Sequence, residues 1–250
     1  MNLGAFIYRE WLVFIRSRLD LWLTLLPPVI IAFFFSLGMS STVDRVGNVP
    51  YSQFLLPGIA AFSVIGSALS MTTRAFNEKF ARTLGEYFSL PSTRGAYVVS
   101  KLTMATVLGT LQGVVFLLAG GLFFNIDINL YSILSSVFIL ALSAVSISGF
   151  FILLGALTSS MSTYLITSNI LSLLLTYISG IFYPLNALPE YVRWLAWLNP
   201  VSHSAGLLRE ALLGSTDQAT SLSVTYLLIS GILFGIAAAY LLNKKAVSQI

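Results

Sequence analysis

The sequence predicts an all-α membrane protein, and both its composition and the length of its apolar stretches support that fold class. Of the 250 residues, 57% are hydrophobic and 9% are charged, whereas soluble domains contain about 25% charged residues. This composition excludes a soluble globular protein. A hydrocarbon core about 30 Å thick is crossed by a helix of about 20 residues. The chain therefore has room for about six such helices, and we expect one transmembrane domain over residues 1–250.

The composition also excludes several kinds of site. The chain has no cysteine and a single histidine, His203, which excludes disulfides, thiolate zinc sites, cysteine nucleophiles and histidine-based metal sites. We expect His203 to be a surface residue on a capped helix. The net charge of +4 is too small and too dispersed to indicate nucleic acid, so we expect no metal and no nucleic-acid partner.

The first predicted element is an amphipathic helix over residues 1–20 that lies at the membrane interface. Apolar residues recur at helical spacing from Leu3 to Ile15, while Arg9, Glu10 and Arg16 gather on another side, as in helices that lie flat on a bilayer. A cleaved signal peptide is the weaker interpretation, because the next apolar run is too extended for one.

Six uncharged apolar stretches follow, and we interpret each as a transmembrane helix. They cover residues 21–40, 54–73, 102–126, 130–157, 165–183 and 222–242. The positive-inside rule gives their orientation, since basic residues collect in cytoplasmic loops. With both termini in the cytoplasm, ten Lys and Arg residues lie inside and only Arg45, Arg193 and Arg209 lie outside.

Two connecting segments are chemically informative. The cytoplasmic loop 74–101 carries aromatic residues at helical intervals before Pro91. Such a helix could be bound by a soluble partner through its aromatic side chains. It could equally lie on lipid headgroups. The basic residues of the loop, taken alone, are explained by the positive-inside rule.

The outer segment 184–214 predicts two short helices that dip back into the outer leaflet as a re-entrant hairpin. The first begins at Pro189 and ends before Asn199-Pro200. Ser202 can cap the second, and Gly214 can close it in the left-handed conformation. Irregular backbone at that depth must be covered by protein, so the hairpin should pack on the bundle.

These segments resemble the permease subunits of ABC-2 type exporters, and the resemblance extends over the whole chain. The outer match carries the most specific residues, and the inner loop matches at Thr83-Leu84, Pro91, Arg94 and Lys101. The matching outer positions are Ser179-Gly180, Pro184, Leu188-Pro189, Trp194, Asn199-Pro200, Arg209 and Leu212.

The resemblance implies a multi-pass protein of a prokaryotic cell membrane, in which a dimer of permeases binds two separate ATP-binding subunits. ATP and Mg would be bound by those partners, and this chain would hold no cofactor. The residues expected to couple to the ATPase are Phe80, Arg82, Thr83, Leu84, Tyr87, Phe88, Pro91 and Arg94.

Two features of the sequence support this assignment independently of the family resemblance. The chain contains no G-x-x-x-x-G-K-[ST] phosphate loop, so any ATPase must be a separate chain. Ion-coupled carriers place ionisable residues inside the bundle, and the six stretches contain none. We therefore expect a non-catalytic exporter subunit, with a secondary carrier and a membrane anchor or assembly factor as the alternatives from other classes.

Hydroxyl residues suggest where cargo would pass. Ser168, Ser172 and Thr176 recur every four residues in the fifth stretch, and Ser63, Ser67 and Ser70 cluster in the second. Small polar residues also serve helix packing, but the resemblance places these helices along the pathway. An uncharged lining favours a drug-like or lipid-like cargo, with a polysaccharide or lipid-linked glycan as the alternative. Glycine pairs such as Gly109 with Gly113 predict packing seams instead.

Overall fold

The computed structural model describes residues 3–16, 18–40, 43–80, 94–126, 128–214 and 220–247. Within those ranges the chain is almost entirely helical. The helices are α1 (Leu3–Arg16), α2 (Arg18–Ser40), α3 (Tyr51–Phe80), α4 (Arg94–Phe124), α5 (Leu130–Leu157), α6 (Met161–Ile178), α7 (Glu190–Trp197), α8 (Pro200–Leu213) and α9 (Thr220–Val247). Two short antiparallel strands, β1 (Arg45–Val46) and β2 (Val49–Pro50), join α2 to α3.

Five helices in the described part of the chain are long and apolar enough to cross a membrane, namely α3, α4, α5, α6 and α9. Each contains one of the predicted stretches or most of it. The first predicted stretch lies in α2, whose segment Trp22–Ser36 is a shorter apolar helix. The multi-pass helical fold is therefore confirmed, with five helices that meet the length criterion.

The helix boundaries show which local signals were decisive. The predicted bounds of α5 are confirmed, because the Asn129 side chain accepts from the backbone N–H of Ser132 and caps the helix. In contrast, α6 ends at Ile178, five residues before the predicted end. Gly180 adopts a φ of 72°, which only glycine reaches without strain, and it turns the chain out of the helix.

The core is organised around α3. This helix packs against α2, α4, α5 and α8, and α5 packs against α9. Val64 and Ile65 of α3 are fully buried together with Leu140 and Ile147 of α5. Small residues permit these close approaches: a side chain at Gly109 would lie 2.7 Å from the Ser67 hydroxyl, so the predicted packing seam is confirmed there.

Helix α1 packs on α4 through Phe6, Glu10 and Phe14, which are its buried residues. The predicted grouping of Glu10 with the outward polar residues is therefore wrong. Phe6 meets the Tyr97 ring edge-on, with a centroid distance of 6.2 Å, and this apolar contact sets the side of α1 that faces the bundle. Trp11 and Ile15 remain exposed, as expected for a helix that also contacts lipid.

Candidate functional site

Helices α3 and α4 are joined by residues 81–93. Phe80 is the last residue of α3 and Arg94 is the first residue of α4. The other predicted ATPase-coupling residues lie outside the described residues, and their role stays a prediction. They are Arg82, Thr83, Leu84, Tyr87, Phe88 and Pro91.

A group of four charged residues ties three helices together beside this connection, and we call Arg9, Glu10, Glu78 and Lys101 the ion cluster. The Lys101 ammonium lies 2.8 Å from Glu10 Oε1 and 3.2 Å from Glu78 Oε2. Arg9 pairs with Glu78 and lies 3.4 Å from Glu10 Oε1. Two acids thus meet two bases, and the cluster has no net formal charge.

Burial makes the pairing in the ion cluster obligatory. The Lys101 side chain is 1% exposed and that of Glu10 is 3% exposed. An isolated charge at such a position costs several kcal/mol, so each group needs its partner. The Tyr97 hydroxyl adds a hydrogen bond of 2.9 Å to Glu78 Oε2. Since Glu10 lies on α1, Glu78 on α3 and Lys101 on α4, the cluster holds these helices together.

The ion cluster corrects two expectations from the sequence. Helices α3 and α4 extend beyond the uncharged stretches 54–73 and 102–126 that the sequence predicted as spans. Glu78 and Lys101 therefore lie within these helices and not in a loop. Glu78 and Lys101 can be buried in the bundle because their opposite charges are paired. Lys101, which the resemblance groups with the docking segment, is instead buried among the cluster carboxylates.

The segment 184–214 forms two short helices, as predicted, with α7 beginning directly after Pro189. Asn199 is the N-cap of α8: its Oδ1 accepts from the backbone N–H of Val201 at 2.9 Å, and its Nδ2 donates to the Leu175 carbonyl at 2.7 Å. The predicted cap, Ser202, is wrong, because Pro200 begins the helix and leaves Ser202 in its first turn. Gly214 closes α8 with a φ of 67°, which confirms that prediction.

Arg209 of α8 is a buried cation that binds backbone carbonyls. Its Nη2 donates to the Gly180 carbonyl at 2.7 Å and to the Ile181 carbonyl at 3.0 Å, and its Nε donates to the Phe54 carbonyl at 3.2 Å. The guanidinium also lies 3.8 Å from the centre of the Phe54 ring. Arg209 therefore fastens α8 to the start of α3 and to the turn that follows α6.

The predicted motif residues of 184–214 thus divide into two groups. Asn199, Pro200 and Arg209 are buried in contacts between helices. Pro184 precedes a short 3₁₀-helix, Leu185–Ala187, while Trp194 is 57% exposed. The first group can hold the segment on the bundle, and the exposed indole suits the polar boundary of a membrane.

The predicted surface location of His203 is wrong. Its side chain is buried, its Nδ1 lies 3.0 Å from the Ser223 hydroxyl and its Nε2 lies 2.8 Å from the Trp197 carbonyl. The imidazole stacks on Tyr226. The His203 side chain therefore joins α8 to α9 and to the end of α7. Sequence periodicity gave no sign of this contact.

The two hydroxyl stripes lie largely within the bundle. Ser63 and Ser67 are buried and donate to carbonyls of their own helix, Ala60 and Val64, while Ser70 is half-buried. Ser168 and Thr176 are also buried. These bonds satisfy hydroxyls that face apolar surroundings. The role of both stripes in lining a pathway stays a prediction.

Ser172 is half-buried between Ser168 and Thr176. Its hydroxyl donates to the carbonyl of Asn169 at 2.8 Å. Asn169 itself is exposed, and the sequence patterns did not single it out. The signal that could have found it is simple: it is an amide in the middle of an apolar stretch.

Comparison with known proteins identifies relatives along most of the chain. The family model described as ABC-2 type transporter matches residues 1–213. The chain is 27% identical over 213 residues to the inner membrane transport permease YadH of Escherichia coli K12, covering 83% of this chain and 82% of that protein. It is 25% identical over 227 residues to nodulation protein J of Sinorhizobium fredii, covering 90% and 86%.

Replacing Lys101 by Met should destabilise the protein strongly, because the Glu10 and Glu78 carboxylates would lose their buried cation. We expect the free energy of unfolding to fall by about 3–5 kcal/mol, measured by thermal unfolding of the purified protein in detergent. The double variant Glu10→Gln with Lys101→Met removes one charge of each sign and should recover part of that loss. An unchanged melting temperature for Lys101→Met would contradict the ion cluster.

Replacing Arg209 by Met should leave the Gly180 and Ile181 carbonyls without a donor, whereas the Phe54 carbonyl lies within α3 and keeps the hydrogen bond of its own helix. We expect a loss of about 2 kcal/mol or more, since each orphaned buried acceptor costs about 1–3 kcal/mol. Arg193→Met is the matched control, because Arg193 also donates to two carbonyls, those of Asn186 and Leu188, but is half-exposed, so water can replace it. Equal melting temperatures for the two variants would argue against a carbonyl-binding role for Arg209.

Proposed function

The chain belongs to the ABC-2 type transporter family, and from that premise we propose that it is the permease of an exporter that moves a hydrophobic or amphipathic compound outward. Membership makes it the membrane subunit of an ABC transporter, with the ATPase on a separate subunit. Two ATP-binding chains would bind ATP and Mg and would drive the permease from the cytoplasmic side.

The observation that carries the proposal is the buried ion cluster, which joins the two helices on either side of residues 81–93. The two helices that flank this connection are fastened to each other and to α1 by the buried ion cluster. A force applied to the connection would therefore move α3 and α4 together instead of unwinding their ends. This is the property that a coupling element gripped by an ATPase requires.

The length of α3 supports a membrane orientation. Its residue Phe54 contacts Arg209, and its residue Glu78 belongs to the ion cluster. The segment between them would extend about 36 Å at 1.5 Å per residue, close to the thickness of a bilayer core. We infer that the ion cluster lies at the cytoplasmic boundary and Arg209 at the outer one.

This orientation agrees with both termini in the cytoplasm and with α2 as a first span, which gives six spans in total. The α7–α8 segment then forms the outer re-entrant hairpin, and the excess of basic residues on the inner side supports the same topology. The proposed location is the cell membrane of a prokaryote.

The charges in the described helices favour an ATP-driven exporter over an ion-coupled carrier. Ion-coupled carriers place ionisable residues inside the bundle to bind the driving ion. Glu10 and Glu78 are instead neutralised by Arg9 and Lys101 at one end of the bundle. The residues of the two hydroxyl stripes are themselves uncharged, which supports a drug-like or lipid-like cargo, with a polysaccharide or lipid-linked glycan as the alternative. Arg74 shares a small cavity with Ser67 and Ser70.

Replacing both Tyr87 and Phe88 by Ala should weaken binding of the partner ATPase. Buried aromatic anchors dominate interfaces, so we expect a loss of about 2 kcal/mol or more, together with ATP hydrolysis that no longer drives transport. Binding is measured by titrating the ATPase against the reconstituted permease, and transport by uptake of a fluorescent amphipathic dye into inverted vesicles.

The matched control replaces Tyr191 and Trp194 of α7, two exposed aromatics that we place on the opposite side of the membrane. That variant should keep its ATPase affinity. If the Tyr87 and Phe88 variant bound the ATPase and transported dye as the unaltered chain does, the connection would be a lipid-surface helix and the proposed coupling site would be refuted.

A further inference from the structure

A small, partly open cavity lies between α1, α2, α3 and α4, and we call it the inner cavity. Its volume is about 10 Å³, enough for about one water-sized group. Its apolar lining residues are Phe14, Met71 and Leu108. Its polar lining residues are Thr24, Ser67, Ser70, Arg74 and Gln112. A cavity inside an apolar bundle is thus lined mainly by hydrogen-bonding side chains.

Gln112 of α4 is the lining residue that points to a ligand. It is 5% exposed, and its Nε2 donates to the Thr24 hydroxyl at 2.8 Å. Its Oε1 is buried and has no hydrogen-bond partner in the described part of the chain. A buried acceptor without a donor is costly. A group that enters the inner cavity and donates to Oε1 would remove this cost.

The neighbouring side chains limit the chemistry of that donor. The Ser67 hydroxyl donates to the Val64 carbonyl, so it can accept a further hydrogen bond but cannot donate one. A phosphate diester has no donor for Gln112 or Ser67. An ammonium group donates, but it would lie close to the positive charge of Arg74. An uncharged hydroxyl group meets both conditions, because it donates and accepts without carrying charge.

The depth of the inner cavity is that of a polar group crossing the membrane. Ser67 is eleven residues from Glu78, and Gln112 is eleven residues from Lys101, which places both about 16 Å from the ion cluster. With the ion cluster at the cytoplasmic boundary, this distance reaches the centre of a hydrocarbon core about 30 Å thick. Headgroups of resting lipids stay at the boundary, so a headgroup in the cavity belongs to a molecule in transit.

We propose that the inner cavity binds one hydroxyl group of an uncharged amphiphile, such as a glycoside or a glycerol lipid, and that this hydroxyl donates to Gln112 Oε1. Phe14, Met71 and Leu108 pack against the apolar part of the same molecule. This inference rests on the proposed function, since it names the headgroup of the proposed cargo. Gln112 is then a specificity-determining residue on α4, a helix that the sequence did not assign to the pathway.

Thiol protection tests the site, because the chain has no cysteine of its own. Ser70→Cys is placed in phosphatidylcholine nanodiscs and treated with a small methanethiosulfonate reagent. Octyl glucoside, octyl sulfate or octyltrimethylammonium is added, since these three amphiphiles share one alkyl chain and differ in their headgroups. We expect octyl glucoside to slow the modification at least threefold and the two charged amphiphiles to have little effect.

The control for this measurement is Ser172→Cys, a half-buried serine of α6 that does not line the inner cavity. Octyl glucoside should not protect it. Equal protection at the two positions, or equal protection of Ser70→Cys by all three amphiphiles, would overturn the proposal. Absence of protection would leave water as the only occupant and would also overturn it, as would a Ser70→Cys thiol that does not react at all.

Gln112→Met tests the acceptor itself, since it keeps the length of the side chain and removes the amide. In the Ser70→Cys background, the octyl glucoside concentration for half-protection should rise about twofold to tenfold, as expected for one lost hydrogen bond. Thr110→Val is the matched control: the Thr110 hydroxyl also has no partner in the described helices, but Thr110 does not line the cavity. Equal effects of the two variants would overturn the proposal. The comparison of the three amphiphiles keeps Gln112 in place, so it remains decisive if Gln112→Met does not fold.

These binding measurements use the permease without ATP or an ATPase, so their failure would leave the proposed exporter in place. Conversely, a Gln112-dependent octyl glucoside site in a chain that an ion gradient drives would keep this inference and refute the exporter. In vesicles with the partner ATPase, Gln112→Met should impair transport of a fluorescent alkyl glycoside more than transport of a fluorescent alkylammonium. Equal impairment of the two would argue against a hydroxyl-reading role and overturn the proposal.

Discussion

The hydrocarbon core of a bilayer offers no hydrogen-bond partners, and the rest of this structure depends on that constraint. A polar group buried in or next to that core is stabilised by a partner within the protein. Arg209 binds the Gly180 and Ile181 carbonyls, where α6 has ended, and the Phe54 carbonyl of α3, and Ser63 donates to its own helix. Lys101 pairs with two carboxylates.

These attachments lie at opposite ends of α3, and one of them is close in sequence to the proposed coupling segment. The ion cluster holds α1, α3 and α4 at one end, and Arg209 joins the other end of α3 to α8 and to the turn after α6. Movement imposed at residues 81–93 would reach α8 through a single helix, α3.

The sequence predicts this fold well where one local signal decides the outcome. Apolar length locates the spanning helices, an amide cap sets the start of α5, and Gly214 ends α8. The errors share one physical cause, since a pattern along the chain does not reveal a partner distant in sequence. From the sequence alone Glu78 and Lys101 are predicted to lie in a loop, whereas in the structure Arg9 pairs with Glu78 and Glu10 pairs with Lys101. Likewise, Ser223 makes the burial of His203 possible.

The most direct measurement is dye transport in vesicles that contain the permease with or without its ATP-binding partner. If energy enters through the segment between α3 and α4, a fluorescent amphipathic dye will move only when both proteins, ATP and Mg are present. A pH or sodium gradient will then have no effect on vesicles with the permease alone. Dye movement driven by such a gradient in the absence of the partner would contradict an ATP-driven exporter and would identify the chain as a carrier.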